Sequence, residues 1–401
     1  MQKKINTSQQ IAVIEEPSQI NTYWHRITMD SVRLRVQQKK KDLLLISEDD
    51  LDSLDAEYEP IVVISGTQEW LDRILAKLET LRFRCVLLST SEQVVQPNVS
   101  VITIDRARAI KQAVSYLHDA HRKRIAFFAY YPNSLNDQQK LEAFSETYQE
   151  LGIEFSNKDV FPFDGDIQQT LVRFIEKCES YNAVICANDI AGVLLLQSET
   201  LRSKIHIPDD LYVISFGDMI LSRIIHTSLT SFTLDYTALG TTAVDTVDFL
   251  RKRRYINAQT TVVRSILRVG ASTAYHSFRE PSPKRPVTDF SAASVTDPFY
   301  KDEPISSLLA LEAFLNRLDL IDIRILLMQM QGMQQQEILD VLFISDSTYR
   351  YRLRKMRECL GIASSDALVK HVAEIVDLEQ FVSINCNEEQ NNSISDMGML
   401  R

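Results

Sequence analysis

The sequence predicts a two-lobed α/β domain followed by an all-α C-terminal domain. Three observations carry that expectation. Short apolar runs alternate with helix-spaced segments through the first 275 residues. A proline-rich stretch breaks the pattern at 276–304. Beyond it, residues 305–382 show helical spacing only, and one of those helices is strongly basic. Length agrees, since 401 residues at roughly 150 per domain make two or three domains.

The apolar runs are IAVI at 11–14, DLLLIS at 42–47, PIVVIS at 60–65, CVLLS at 85–89, VSVITI at 99–104, RIAFFAY at 124–130, NAVICA at 182–187 and LYVISF at 211–216. Continuous apolar runs of this length read as parallel strands covered on both faces. Between them, residues 106–120 place Ala107, Ile110, Val114 and Leu117 on one helical face, and residues 235–250 do the same with Leu239, Ala243, Val247 and Leu250. Such alternation predicts parallel sheets with right-handed crossovers. Eight or more strands exceed one small sheet, so residues 1–275 are expected to form two lobes with a cleft between them.

Five of the eleven prolines (Pro281, Pro283, Pro286, Pro298 and Pro304) fall in 276–304. Proline fixes φ and removes a backbone donor, so this stretch is expected to be a semi-extended linker without helix or central strand. Residues 305–382 form the second domain, and the polar, asparagine-rich tail 383–401 is expected to fray.

Composition narrows the function. An apolar share of 45% with 24% charged residues excludes wholesale disorder. No run approaches the roughly 18 apolar residues of a membrane helix, and the N-terminus lacks the apolar core of a signal peptide. Five scattered cysteines without a CxxC pair read as reduced thiols of a cytoplasmic protein. The net charge of -10 argues against a chain that coats nucleic acid everywhere, though not against a local basic patch. No HExxH, GxxxxGK[ST], GxGxxG or GxSxG motif occurs, so no catalytic residue, metal site or cofactor is expected.

The basic patch lies in the C-terminal domain. LDLIDIRILLMQMQ (318–331) reads as a helix stopped by Gly332, QQQEILDVLF (334–343) as a short second helix, and ISDS as a turn. Ser345 or Asp346 can cap the next helix, STYRYRLRKMRECL, which ends at Gly361. This is the outline of a helix-turn-helix. At about 100° per residue, Tyr349, Leu353, Met356 and Leu360 form a buried stripe. Ser347, Thr348, Tyr351, Arg354 and Lys355 point away, and Arg350, Arg352 and Arg357 flank the stripe. Residues 347–360 carry five positive charges and one negative. That concentration costs self-repulsion, which an anionic partner relieves. Arginine forks suit guanine O6 and N7, and hydroxyls at a helix start suit a phosphate or a thymine methyl. The candidate DNA contacts are Ser345, Ser347, Thr348, Arg350, Tyr351, Arg352, Arg354 and Lys355. The competing reading is a solvated basic face on an ordinary bundle helix.

The run 332–368 resembles the C-terminal helix-turn-helix of LuxR-type regulators at Gly332, Glu337-Ile338, Leu342, Ile344-Ser345, Thr348, Leu360-Gly361-Ile362 and Ala367. The glutamate usual in that family's first helix is missing from LDLIDIR. The stretch Tyr349-Arg350-Tyr351-Arg352-Leu353 is closer to the TLRYRL run of PucR-type helix-turn-helices.

Three stretches of the α/β part resemble the effector-binding core of lactose-repressor-family regulators, a periplasmic-binding-protein-like fold. ITIDRARAIKQAVSYLHDAHRKRIAFFAY and the helix after it (102–153) are similar to that family's strand-helix-strand with its GHRRIAFIG run, with Ala120 and His121 at the Gly-His positions. NAVICANDIAGVLLLQ through IHIPDDLYVISFGDMILSR (182–223) is similar to the AND-MA helix followed by VPEDVSVVGFDD, and VVRSILRVGASTA (262–274) to the closing LVVRGST strand. In that family the DNA-binding headpiece precedes the core. Only about ten residues precede the first strand here, so the DNA-reading element is expected at the C-terminus.

The resemblance implies a ligand set. Asn188 stands at the cleft-facing asparagine of AND, with Asp189 beside it. Lys140 stands where an arginine commonly contacts ligand, a point charge in place of a planar fork. Gly217 replaces the first acid of FDD, leaving Asp218. Gln19 and Asn21 lie on the loop that borders the cleft. For Asp189 and Asp218 a structural role as capping residues competes with ligand contact. The lost carboxylate weakens the case for a neutral sugar.

The combined expectation is a cytoplasmic, homodimeric, ligand-responsive transcription regulator whose partners are duplex DNA and a small-molecule effector, a sugar or another small polar metabolite. The alternative is a sensor whose helical bundle docks a protein partner.

Overall fold

A computed structural model of the chain describes residues 9–54, 59–88, 96–273 and 294–382. Among them, twelve strands form two sheets of six. The strands are β1 (Gln10–Glu15), β2 (Asp42–Ile46), β3 (Ile61–Ile64), β4 (Cys85–Leu88), β5 (Val99–Ile104), β6 (Ile125–Tyr130), β7 (Val160–Pro162), β8 (Ala183–Cys186), β9 (Tyr212–Gly217), β10 (Thr230–Thr233), β11 (Thr260–Val263) and β12 (Leu267–Arg268). The first sheet runs β11-β5-β4-β3-β1-β2 and the second β12-β10-β9-β8-β6-β7. Among the strand pairs of the described residues, only β10–β12 is antiparallel.

The two sheets repeat one topology, and the chain crosses between them three times: from β5 to β6, from β10 to β11, and from β11 to β12. The helices of the lobes are α1 (Tyr23–Gln38), α2 (Gln68–Thr80), α3 (Arg106–Asp119), α4 (Leu135–Glu150), α5 (Ile167–Ile175), α6 (Asp189–Gln197), α7 (Glu199–Arg202), α8 (Ile220–Ile224) and α9 (Tyr236–Lys252). Helices cover both faces, so the residues of β3, β4, β5 and β8 are buried throughout, as their unbroken apolar runs require. The expected two-lobed, periplasmic-binding-protein-like α/β fold is the fold observed.

Four strands lie outside the eight apolar runs. β7 is three residues long, β10 reads TSFT, β11 (TTVV) is partly exposed, and β12 has two residues. The stretch 262–274, expected as one closing strand, instead divides between the two lobes. Its edge positions need no long apolar run, because only part of each residue is covered.

The C-terminal region holds α10 (Pro298–Lys301), α11 (Glu303–Leu315), α12 (Leu320–Met330), α13 (Gln335–Leu342), α14 (Asp346–Leu360) and α15 (Ser365–Ile375). This corrects the expectation of a linker without helix up to 304. Pro298 and Pro304 occupy the first turns of α10 and α11, where no N–H is needed. Asp297 and Asp302 cap the two helices. The rest of the expected linker up to 293, and the tail 383–401, lie outside the described residues.

The helical region does not stand apart from the sensor. One apolar cluster runs from Ile190, Leu195 and Leu221 in the second lobe through Leu308 and Leu311 of α11 to Ile325, Leu353 and Val372. Backbone contacts reinforce it, with Ile225 bridging Val376 and the Asp377 N–H donating to the Ile224 carbonyl at 2.6 Å.

Candidate effector cleft and nucleic-acid interface

The cleft opens where the C-terminal ends of both sheets face each other, the position at which open α/β folds bind ligands. Glu16, buried at the end of β1, organises its first wall. Its carboxylate accepts from the Gly66 and Thr67 N–H groups at 2.8 and 3.0 Å and from the hydroxyls of Ser18, Ser65 and Thr67. This knits the loop after β1 to the loop after β3. Gln19 then lies flat over Gly66, where a Cβ would sit 2.6 Å from the glutamine Cδ. The lobes also touch directly, with the Leu135 N–H donating to the Gly66 carbonyl.

Of the expected ligand residues, Gln19, Lys140 and Asn188 line the cleft. Lys140 is 3% exposed, pairs with Asp137 at 2.6 Å and donates to the Ala187 carbonyl. Burial lowers its ammonium below the ordinary lysine range, against the pull of Asp137. Asn188 caps α6, accepting from the Ala191 N–H at 3.0 Å.

Asn21, Asp189 and Asp218 do not line the cleft. Asn21 holds a left-handed φ of 70° and donates to the Ser294 carbonyl at 3.1 Å. Asp189 is fully buried and accepts from the Ser215 and Ser231 hydroxyls and the Met219 N–H at 2.5, 2.6 and 2.7 Å. Asp218 is fully buried between Arg223, at 2.7 Å, and Arg268. Both aspartates hold the floor together; neither caps a helix as the structural alternative supposed. Gly217 has a reason in the same network. Its φ is +144°, and a Cβ would stand 3.1 Å from the Asp189 carboxylate.

The remaining lining was not read from the sequence. Arg106, the first residue of α3, is 2% exposed. Burial lowers its guanidinium, and Tyr236 and Asp137 oppose that. Trp24, Phe216 and Tyr236 supply aromatic faces, with the Lys140 ammonium 5.4 Å from the Phe216 ring centre. Four further residues, Asp297, Phe299, Tyr300 and Leu309, come from the C-terminal region. The sequence signal of the first three, a D-P-F-Y run inside a proline-rich stretch, reads as linker. Burial raises the Asp297 carboxyl above the ordinary aspartate range, despite hydrogen bonds from the Phe299 N–H and Gln19. With these residues in place, about 100 Å³ of free space remains, below the roughly 300 Å³ of small ligand pockets.

The candidate nucleic-acid interface is α14 with the turn before it. α13 ends at Phe343, left-handed at φ 53°, and Ser345 caps α14 by accepting from the Thr348 N–H at 3.1 Å. The Ser347 and Thr348 hydroxyls each lie 2.8 Å from that of Ser345. Tyr349, Leu353 and Met356 are buried as the wheel requires, and Leu360 is half-buried. Ser347, Arg350, Tyr351, Arg354 and Lys355 are exposed together. Arg350 pairs with Asp346 at 2.9 Å, and the Arg354 guanidinium lies 5.7 Å from the Tyr351 ring centre. Arg352 turns inward, bonding Asp319 and Asp322 of the α12 start at 2.8 Å each. Burial works against the Asp319 charge, but Arg352 and backbone donors outweigh it and hold the carboxyl below its ordinary range.

Comparison with known proteins agrees with this architecture. A family model described as a periplasmic binding protein-like domain matches residues 89–273. No curated protein matches the chain. Among solved structures, a putative LacI transcriptional regulator from Bacillus cereus subsp. cytotoxis is 15% identical, covers 67% of this chain and 99% of its own, and has a TM-score of 0.57. The transcription regulator CcpA of Lactococcus lactis is 19% identical, with 66% and 100% coverage and a TM-score of 0.54. The lac repressor dimer bound to operator and an anti-inducer is 15% identical, with 66% and 94% coverage and a TM-score of 0.56. These likenesses concern the fold of the two-lobed domain. No helix among the described residues is long and apolar enough to cross a membrane.

Proposed function

We propose that the chain is a cytoplasmic, homodimeric transcription regulator that senses a small polar molecule in its two-lobed domain and reads duplex DNA with a LuxR- or PucR-type helix-turn-helix formed by α13 and α14. The observation that carries this reading is the exposed cluster Arg350, Tyr351, Arg354 and Lys355 on a helix whose buried face joins the same apolar cluster as the second lobe of a LacI-like sensor. The solved neighbours include a regulator in complex with cellobiose and a repressor dimer on its operator, which supports a soluble effector, dimerisation and DNA as partner.

The route from cleft to reader is short. Glu312 of α11 is fully buried and accepts from the Ile220 and Leu221 N–H groups at 3.0 and 2.7 Å, from Tyr23 at 3.2 Å and from the Asn316 side chain at 3.0 Å. Tyr23 belongs to the first lobe and α8 to the second. A change in lobe separation therefore reaches the helical region at this side chain, among other contacts, and shifts the spacing of paired readers.

Genomic fragments captured by the full chain at two salt concentrations test the reading. Arg354→Ala with Lys355→Ala is expected to weaken binding and to reduce the salt slope by about 2, near 0.9 per lost phosphate contact. Unchanged affinity and slope would overturn the interface.

A protein-docking reading is favoured by one feature. Phe343 is 95% exposed beside Val341 at 51%, an apolar tip at the turn. Phe343→Ser that abolishes a protein complex while leaving DNA binding intact would support it.

A further inference from the structure

The segment 294–302, SVTDPFYKD, crosses the mouth of the cleft from one lobe to the other. Its first half grips the first lobe. The Ser294 carbonyl accepts from Asn21, the Thr296 hydroxyl donates to the Ser18 carbonyl at 3.2 Å, and Asp297 accepts from Gln19 at 3.3 Å. Its second half grips the second lobe. The Phe299 ring stacks on Tyr131 (5.8 Å, 25°) and meets Phe163 edge-on (5.1 Å, 76°). Asp302 accepts from the Ile167 N–H at 3.0 Å, at the start of α5. Phe299 is 5% exposed and Asp297 8%.

A diffusible ligand stabilises the closed form of a two-lobed protein by touching both lobes at once. This segment makes that set of contacts, and it leaves too little space for another occupant. We propose that residues 294–302 are a tethered occupant of the cleft, a peptide ligand built into the chain, which any diffusible effector must displace. The aromatic side chain at 299 and the acid at 297 define what the mouth recognises, an aromatic ring next to a carboxyl group. A short tether holds its ligand at an effective concentration of about millimolar, so displacement demands an effector that binds well below that. Because α11 begins at Glu303, removal of the segment pulls on the helix that carries Glu312. The inference rests on the cleft being the sensory site; its test uses no DNA, so failure of the DNA-reading assignment leaves the test untouched.

The experiment is hydrogen exchange of the full chain, followed by mass spectrometry over 294–302. The wild type is expected to protect this segment, and Phe299→Ala is expected to speed its exchange at least about tenfold while the strands of both sheets stay protected. A synthetic peptide of residues 294–304 should then bind Phe299→Ala at up to about millimolar concentration and leave the wild type, whose cleft is filled, unbound. Gln19→Ala, a milder change on the opposite wall, should speed exchange at 294–297. Equally fast exchange in the wild type and both variants would overturn the proposal. So would a Phe299→Ala protein that keeps its sheets protected yet fails to bind the peptide.

Discussion

Glu312 in α11 accepts a hydrogen bond from the hydroxyl of Tyr23 in α1 at 3.2 Å, which ties the helical region to the first lobe as well as to the second. The carboxylate is fully buried, and its other partners are two backbone N–H groups of α8 and Asn316. An orphaned buried donor costs roughly 1–3 kcal/mol. Glu312→Ala is therefore expected to lose about 2–4 kcal/mol in urea denaturation. Tyr23→Phe removes one bond and should cost about 1 kcal/mol. A double-mutant cycle in which the two losses add fully would show that the bond contributes nothing.

Arg352 and Arg354 are two residues apart and have different duties. Arg352→Ala is expected to destabilise the helical region at neutral pH, because Asp319 and Asp322 lose their shared cation. The Asp319 carboxyl is held low, so its contribution is present above the ordinary aspartate value of about 3.9. That contribution is lost as pH falls through the lower folded value. Thermal melts between pH 3 and 7 should show the wild type losing part of its advantage over Arg352→Ala at the acid end. Because Asp319 is half exposed, the difference is expected to be small.

Asp297 has the opposite sign. Burial holds its carboxyl above the ordinary range, so docking of its segment is favoured when it is protonated. That contribution is complete below about 3.9 and is lost as pH rises through the higher folded value. Burial also raises Asp302, which adds to the trend. Exchange over 294–302, corrected for the intrinsic rate, should be slowest below about pH 3.9 and should speed up as pH rises through the higher folded value. Asp297→Asn should weaken this dependence; an unchanged profile would remove Asp297 as its source.

Cysteine reactivity should be graded by burial. Burial pushes the Cys85 thiol up to about 12, and it raises Cys186 as well. Both are expected to resist alkylation at pH 8 until the chain unfolds, because the thiolate is the reactive form. Cys359 is half-buried beside Arg317 at 3.2 Å and should react first among the described cysteines, as peptide mapping would reveal.

The fold was legible where burial is complete. Runs such as VSVITI and IAFFAY leave no solvent face, so their strands could be placed within a residue or so. β10 and β12 could not be, since Thr230, Ser231 and Arg268 owe their places to partners far along the chain. The wheel of α14 foresaw its buried stripe, yet it could not foresee Arg352 turning toward α12, because the partner acids belong to another helix. In the cleft, Asp189 and Asp218 carry the residue types of ligand contacts and lie one layer deeper, facing serines and arginines. Residues 297–300 were hidden for a different reason. Proline normally marks an exposed connection, and the same residue suits the first turn of a helix.

A tethered occupant would also fix a set point. When part of the chain competes for the site, the effector concentration at half-response is the intrinsic dissociation constant multiplied by one plus the docking constant of the segment. That factor is independent of protein concentration, and it is encoded away from both the effector contacts and the DNA contacts. Substitutions at Phe299 or Asp297 would then act as a dial, shifting the threshold of response while leaving unchanged which effector is recognised and which operator is read.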